Sequence, residues 1–251
     1  MDLAAALTYF SPKDSTKLSF KKLIEYAWKE FLQQPLFYIA FTVISLLLPI
    51  ICTWLLGSAH MQAVPIFLIM LCINPPLEMG TAAYLHHKHQ TTRKDFVAYF
   101  KPFRIELIDL FLFSVVTVAA LFLITLPAVT VQVVMENNGI INVDEPLPLS
   151  LQLVRIATLI ALLFYGVAMM FAPYYIYFNK MKPLKAMRES YATIKVSWFW
   201  FLGLYIGISL LMLAGLVAVV VGVLATMPVA RIASYYVFAK YSGIDQALEE
   251  E

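Results

Sequence analysis

IELIDLFLFSVVTVAALFLITLPAVTVQVV, residues 105 to 134, decides what kind of chain this is, because after Asp109 it carries no charged side chain. An α-helix rises 1.5 Å per residue, so about 20 mostly apolar residues cross the roughly 30 Å hydrocarbon layer of a bilayer. A soluble core helix has no use for so long an uncharged run. The rest of the chain agrees, with 61% hydrophobic and only 14% charged residues against the roughly one-quarter charged share of soluble domains. Net charge is +2, which excludes the broad basic surface of a nucleic-acid binder.

Working outward, five further stretches qualify as spans: Leu36 to Gly57, Gln62 to Leu85, Gln152 to Phe178, Trp198 to Leu224 and Thr226 to Ser242. The expected class is all-α, a polytopic membrane protein of six transmembrane helices arranged as three hairpins. No long polar stretch divides them, so residues 1 to 251 read as a single integral membrane domain. The segment MDLAAALTYFSPKDSTK lacks the basic and apolar regions of a signal peptide. Cys52 and Cys72 both fall within apolar segments, where reduced, small packing residues are expected rather than a disulfide framework.

Lysine and arginine set the orientation. Residues 1 to 35, 86 to 104 and 179 to 197 hold five each; with Lys240 they account for 16 of the 18. The alternate loops hold none, and the longest carries Glu136, Asp144 and Glu145. By the positive-inside rule the basic side, with both termini, faces the cytoplasm. Each basic segment also reads as an amphipathic interfacial helix preceding its hairpin. In the first, Phe20, Leu23, Ile24, Ala27, Trp28 and Phe31 oppose Lys21, Lys22, Glu25 and Lys29; in the second, Thr92 and Asp95 form a capping-box pattern before Phe96, Tyr99 and Phe103; in the third, Pro183 suits the first helical position. The partners these faces imply are the bilayer itself and anionic headgroups on its cytoplasmic side.

PLEMGTAAYLHHK from Pro76 and PVARIASYYVFAK from Pro228 share Pro, then Tyr84 or Tyr236, then Lys88 or Lys240 at the same spacing. A threefold internal repeat over 18-85, 92-178 and 183-242 would leave this pattern, and such repeats are common in membrane folds. The order FAPYYIYFNKMKPLKAMRESYATIKVSW, a glycine-bearing apolar span and MPVARIASYYVFAKY, with PPLEMGTAAYLHHK in the first half, resembles YciC-like bacterial six-helix membrane proteins of unknown function. It also resembles the membrane domain attached to some glycerophosphodiester phosphodiesterases. The resemblance covers about half of the chain. It implies a six-helix protein of the bacterial cytoplasmic (inner) membrane, and brings no substrate or catalytic residue.

Among side chains, Glu78 stands out. It lies about 8 residues, roughly 12 Å, from the inner end of its span, where an ionised group needs a partner or a wet cavity. Arg231 lies about 11 residues, roughly 16 Å, from the inner end of the last span, so the two charges fall at similar depth. They read either as an ion pair locking two helices or as a substrate or proton site. Asn74, Pro75 and Pro76 place a helix break one turn from Glu78, a feature of ordinary kinks and of transporter sites. His86, His87 and His89 lack the i, i+4 spacing of a shared metal face and read as a solvated juxtamembrane patch. Glu106 and Asp109 suit a helix N-terminus. Tyr174, Tyr175, Tyr177, Trp198 and Trp200 read as an interfacial belt.

HExxH, GxSxG, GxxxxGK[ST] and CxxC are all absent, so no catalytic residue, metal site or cofactor is expected. Three functions remain open: a non-enzymatic scaffold or accessory subunit, a small transporter or channel using Glu78 and Arg231, and a lipid-modifying enzyme. The first uses small-residue faces such as Gly203-x3-Gly207 to receive other membrane proteins or a second copy.

Overall fold

The computed structural model describes residues 19 to 57, 63 to 91, 95 to 138, 148 to 217, 219 to 242 and 244, and every regular element among them is helical. In chain order they are α1 (Phe20–Gln33), α2 (Pro35–Gly57), α3 (Ala63–Thr91), a 3-10 helix (Phe96–Phe100) running into α4 (Lys101–Ile105), α5 (Leu107–Asn137), α6 (Leu149–Met169), α7 (Ala172–Asn179), α8 (Pro183–Lys195), α9 (Trp198–Val217) and α10 (Val219–Ser242). α5, the stretch from α6 through α7, α9 and residues 222 to 242 of α10 are four helices long and apolar enough to cross a membrane. A fifth is added if α1 and residues 35 to 48 of α2, which meet at 98°, count as one broken span. The reading of residues 1 to 17, and Thr92 of the capping box, lie outside the described residues.

Proline chemistry sets several boundaries. A residue before proline is pushed out of the helical region; Gln34, before Pro35, has φ −146° and ψ 59°, and there α1 turns sharply into α2. Pro183 opens α8 as expected. Asp95 caps the 3-10 helix by accepting from the Val97 N–H at 2.9 Å. Pro173 lacks the N–H that would continue α6, and α7 starts afresh one residue earlier. Ser190, fully buried on α8, mends that break: its hydroxyl donates to the Ala168 carbonyl at 2.7 Å and accepts from the Phe171 N–H at 3.1 Å.

Burial is strongly sided. The core gathers toward the lysine-rich helix ends, from Leu23, Phe31, Tyr38 and Phe41 through Leu77, Tyr84 and Tyr99 to Phe171, Phe201, Ile232 and Phe238. The opposite halves expose Ile50, Trp54, Phe122, Leu123, Leu159, Ile160, Leu213 and Leu216, a surface suited to lipid. Only 11 to 17% of the apolar window is buried in α5, in α6 with α7 and in α9, against 56% in α10, so α10 is the interior helix. Between membrane helices apolar burial gains little, because lipid is equally apolar; close packing and hydrogen bonds hold the bundle. Aromatic contacts supply much of that packing, with Phe41 stacked on Tyr99 at 4.2 Å and Tyr174 tilted against Phe238 at 5.0 Å.

Several expectations are corrected. α3 is one continuous helix that contains Pro75 and Pro76, so the expected break is instead two missing N–H donors inside a helix. Tyr174 and Tyr175 are buried inside the bundle rather than forming an interfacial belt. Glu106 makes no side-chain cap at α5, while Asp109 reaches across to Lys182 at 3.2 Å. Gly207 makes room for the Phe20 ring of this same chain, whereas Gly203 faces open space.

Candidate functional site: a polar recess between α3 and α10

Asn74, Glu78, Thr81 and Leu85 recur at the spacing that keeps them on one face of α3. Asn74 and Glu78 are exposed, while Thr81 and Leu85 are buried. On α10 the matching row of Met227, Arg231 and Ser234 is partly exposed and closes at buried Phe238. Both rows therefore open toward one end and are sealed toward the lysine-rich end. Exposed Glu78 and partly exposed Arg231, within electrostatic range of each other, lie at the open end of the two rows.

The two charges meet here without joining. Arg231 is within electrostatic range of Glu78, but among the described residues Glu78 makes neither a hydrogen bond nor an ion pair. Instead, Arg231 donates from Nη1 to the Ser45 hydroxyl on α2 at 3.0 Å. Ser45 lies 2.7 Å from the Tyr99 hydroxyl, which in turn is 3.1 Å from the Leu77 carbonyl and 3.3 Å from that of Phe41. Each group has a donor role and an acceptor to match, so guanidinium, serine and phenol form one polarised chain ending on backbone oxygens. That chain ties Arg231 to α2 and the 3-10 helix, away from Glu78. Tyr174 on α7 lies within electrostatic range of both charges.

Gly80 makes the arrangement possible. A Cβ there would sit 2.5 Å from the Tyr99 ring and 2.7 Å from its backbone oxygen, so only glycine lets the 3-10 helix lie this close. Pro75 and Pro76 are buried within a turn of Glu78, and their missing N–H groups release the carbonyls of Leu71 and Cys72 from the helical ladder.

A second polar network closes the lysine-rich end. Glu30 is 5% exposed and is held by Lys88 at 2.5 Å and by the Tyr38 hydroxyl at 3.1 Å. Tyr84 donates to Gln34, which joins α3 to the turn between α1 and α2. His86 bonds Tyr235 at 3.2 Å and His89 bonds Tyr236 at 3.1 Å. Burial pushes both imidazoles down to about 4, with the cations Lys101 and Lys88 contributing at His86 and His89 respectively and Glu30 opposing at His89. These histidines are therefore neutral helix ties, not a solvated patch, while His87 lies 3.7 Å from Asp95.

Exposed Asn74 and Glu78 share one face of α3, and Arg231 on α10 lies within electrostatic range of Glu78. Ser45, Tyr99 and Tyr174 were missed, because their convergence depends on tertiary packing of three different elements. Glu30 was missed for a different reason: it lies on the same helical face as Leu23, Ala27 and Phe31, and that placement was a legible sign of a buried carboxylate. Comparison of the chain with protein-family models, with curated proteins and with solved structures finds no match.

Proposed function

We propose that the chain is a six-span protein of the bacterial cytoplasmic membrane, related to the YciC-like group, that binds and translocates a small polar solute at Glu78 and Arg231. In this reading α2 and α3, α5 and α6 with α7, and α9 and α10 are the hairpins. α1, the 3-10 helix with α4, and α8 precede them at the cytoplasmic surface, where exposed Lys21, Lys22 and Lys29 meet anionic headgroups. One observation carries the functional part: a carboxylate midway along a long helix has accessible surface and no bonded partner among the described residues, while the nearby guanidinium is bound to Ser45. An ionisable group kept so within a membrane is costly and marks substrate or proton pathways. A purely structural pair would close.

Gly203 favours a second reading, in which α9 receives a span of another membrane protein, because among the described residues nothing lies within 4 Å of where its Cβ would be. The two readings separate by two-sided labelling. A transporter exposes its site alternately, so Glu78→Cys, with Cys52 and Cys72 replaced, should react with an impermeant thiol reagent both in intact cells and in inverted vesicles. Reaction from neither side or from one side alone contradicts translocation.

A further inference from the structure

The recess contains one negative and one positive group and is formally neutral, which restricts what enters it. A simple cation would satisfy Glu78 and leave an excess positive charge beside Arg231; an anion would do the reverse. Either outcome leaves an uncompensated charge in a recess between protein walls, where water screens less than in bulk. A ligand bearing both signs leaves none.

The donor and acceptor inventory points the same way. An ionised carboxylate accepts at two oxygens, and Glu78 uses neither among the described residues. A guanidinium has five N–H donors arranged to grip a carboxylate or phosphate, and one nitrogen of Arg231 is bound to Ser45. Glu78 and Arg231 feel each other's charge but are farther apart than the 4.0 Å of an ion pair, so a bridging molecule must carry its two charges on separate atoms. Asn74 adds an exposed amide one turn from Glu78.

We infer that the recess binds a primary-ammonium zwitterion, with the ammonium donating to Glu78 and a phosphate or carboxylate accepting from Arg231. This rests on the recess being a binding site, as proposed above, and adds the chemical class of its ligand. Two sources offer this chemistry: the ethanolamine headgroup of a phospholipid, and a free solute such as an amino acid or phosphoethanolamine. A trimethylammonium group would fit less well, because it has no N–H to donate to the carboxylate.

The test uses the full chain in mild detergent, with short-chain phosphatidylethanolamine, phosphatidylcholine and phosphatidylglycerol competing and bound lipid read by native mass spectrometry. Parallel arms use O-phosphoethanolamine and glycine as soluble probes, read by thermal shift. At least one primary-ammonium probe should bind about tenfold or more tightly than phosphatidylglycerol, the factor that one charged hydrogen bond carries. Preference confined to the lipid identifies a headgroup site; preference confined to the soluble probes identifies a free solute. Glu78→Gln and Arg231→Gln should each remove the preference, and Glu78→Asp, which keeps the charge, should retain it in weakened form. Phosphatidylglycerol bound as well or better, but still through Arg231, overturns the zwitterion inference and leaves the recess as a binding site. Binding indifferent to both Glu78 and Arg231 overturns the inference and the site together.

Discussion

Replacing Lys88 by methionine removes the cation that holds Glu30, a carboxylate 5% exposed and 2.5 Å from the lysine ammonium. Among the described residues its remaining partner is the Tyr38 hydroxyl at 3.1 Å, one hydrogen bond for a group that accepts several. Breaking one side of a buried ion pair costs about 3 to 5 kcal/mol, because the other charge is left in low dielectric. At roughly 2 to 4 °C per kcal/mol for a chain of this size, Lys88→Met should lower the apparent melting temperature in detergent by about 6 to 20 °C. The converse change is milder. In Glu30→Gln the stranded group is Lys88, which is 16% exposed and already donates to Gln33 at 3.2 Å, so the loss should be less than half as large. Changing both together removes the orphaned charge and should recover most of the deficit. The assay is a thermal scan of all four proteins under one set of conditions, read as a double-mutant cycle. Equal and additive losses from the two single changes would show that the pair does not carry the junction of α1 and α3.

Acidification should destabilise the fold through His86 and His89. Both are held neutral by burial, at about 4 in the folded chain against 6.5 for a free imidazole, so the unfolded chain takes up more protons between those values. Their stabilising contribution is complete above 6.5 and falls as pH drops toward 4, by about 1 to 2 kcal/mol per imidazole between pH 7 and 5. A melting temperature that falls over this range in the native chain, but much less in a His86→Gln and His89→Gln double variant, is the expected result. Gly80→Leu should displace the 3-10 helix, since even a Cβ meets Tyr99 at 2.5 Å. It should cost several kcal/mol, read as a marked fall in apparent melting temperature, whereas Gly203→Leu, into open space, should be nearly neutral.

The class of fold was legible because lipid imposes a simple rule: long uncharged runs appear wherever helices of membrane length appear, as at residues 105 to 134. Helical rise converts residue number into an expected depth, which is how Glu78 and Arg231 stand out in the sequence. What joins them was not legible. Arg231 turns to Ser45 because Gly80 admits Tyr99, a choice made by packing between α2, α3 and a 3-10 helix whose own pattern pointed to the membrane surface. The histidines were misread because sequence spacing shows which residues share a helix face but not what lies opposite. Pro75 and Pro76 were read as a break because local rules register the two missing N–H donors but not the helix that continues on both sides of them.

The central claim is that water reaches Asn74 and Glu78 midway along a helix surrounded by apolar spans. Spin labels placed singly at Asn74 and at Phe122, which is 63% exposed on α5, in a chain free of native cysteines and reconstituted in bilayers, test it directly. The label at position 74 should collide more often with a water-soluble nickel complex than with oxygen, and the label at 122 should show the reverse. An oxygen-dominated, lipid-like environment at both positions would contradict a polar recess and the functional reading built on it.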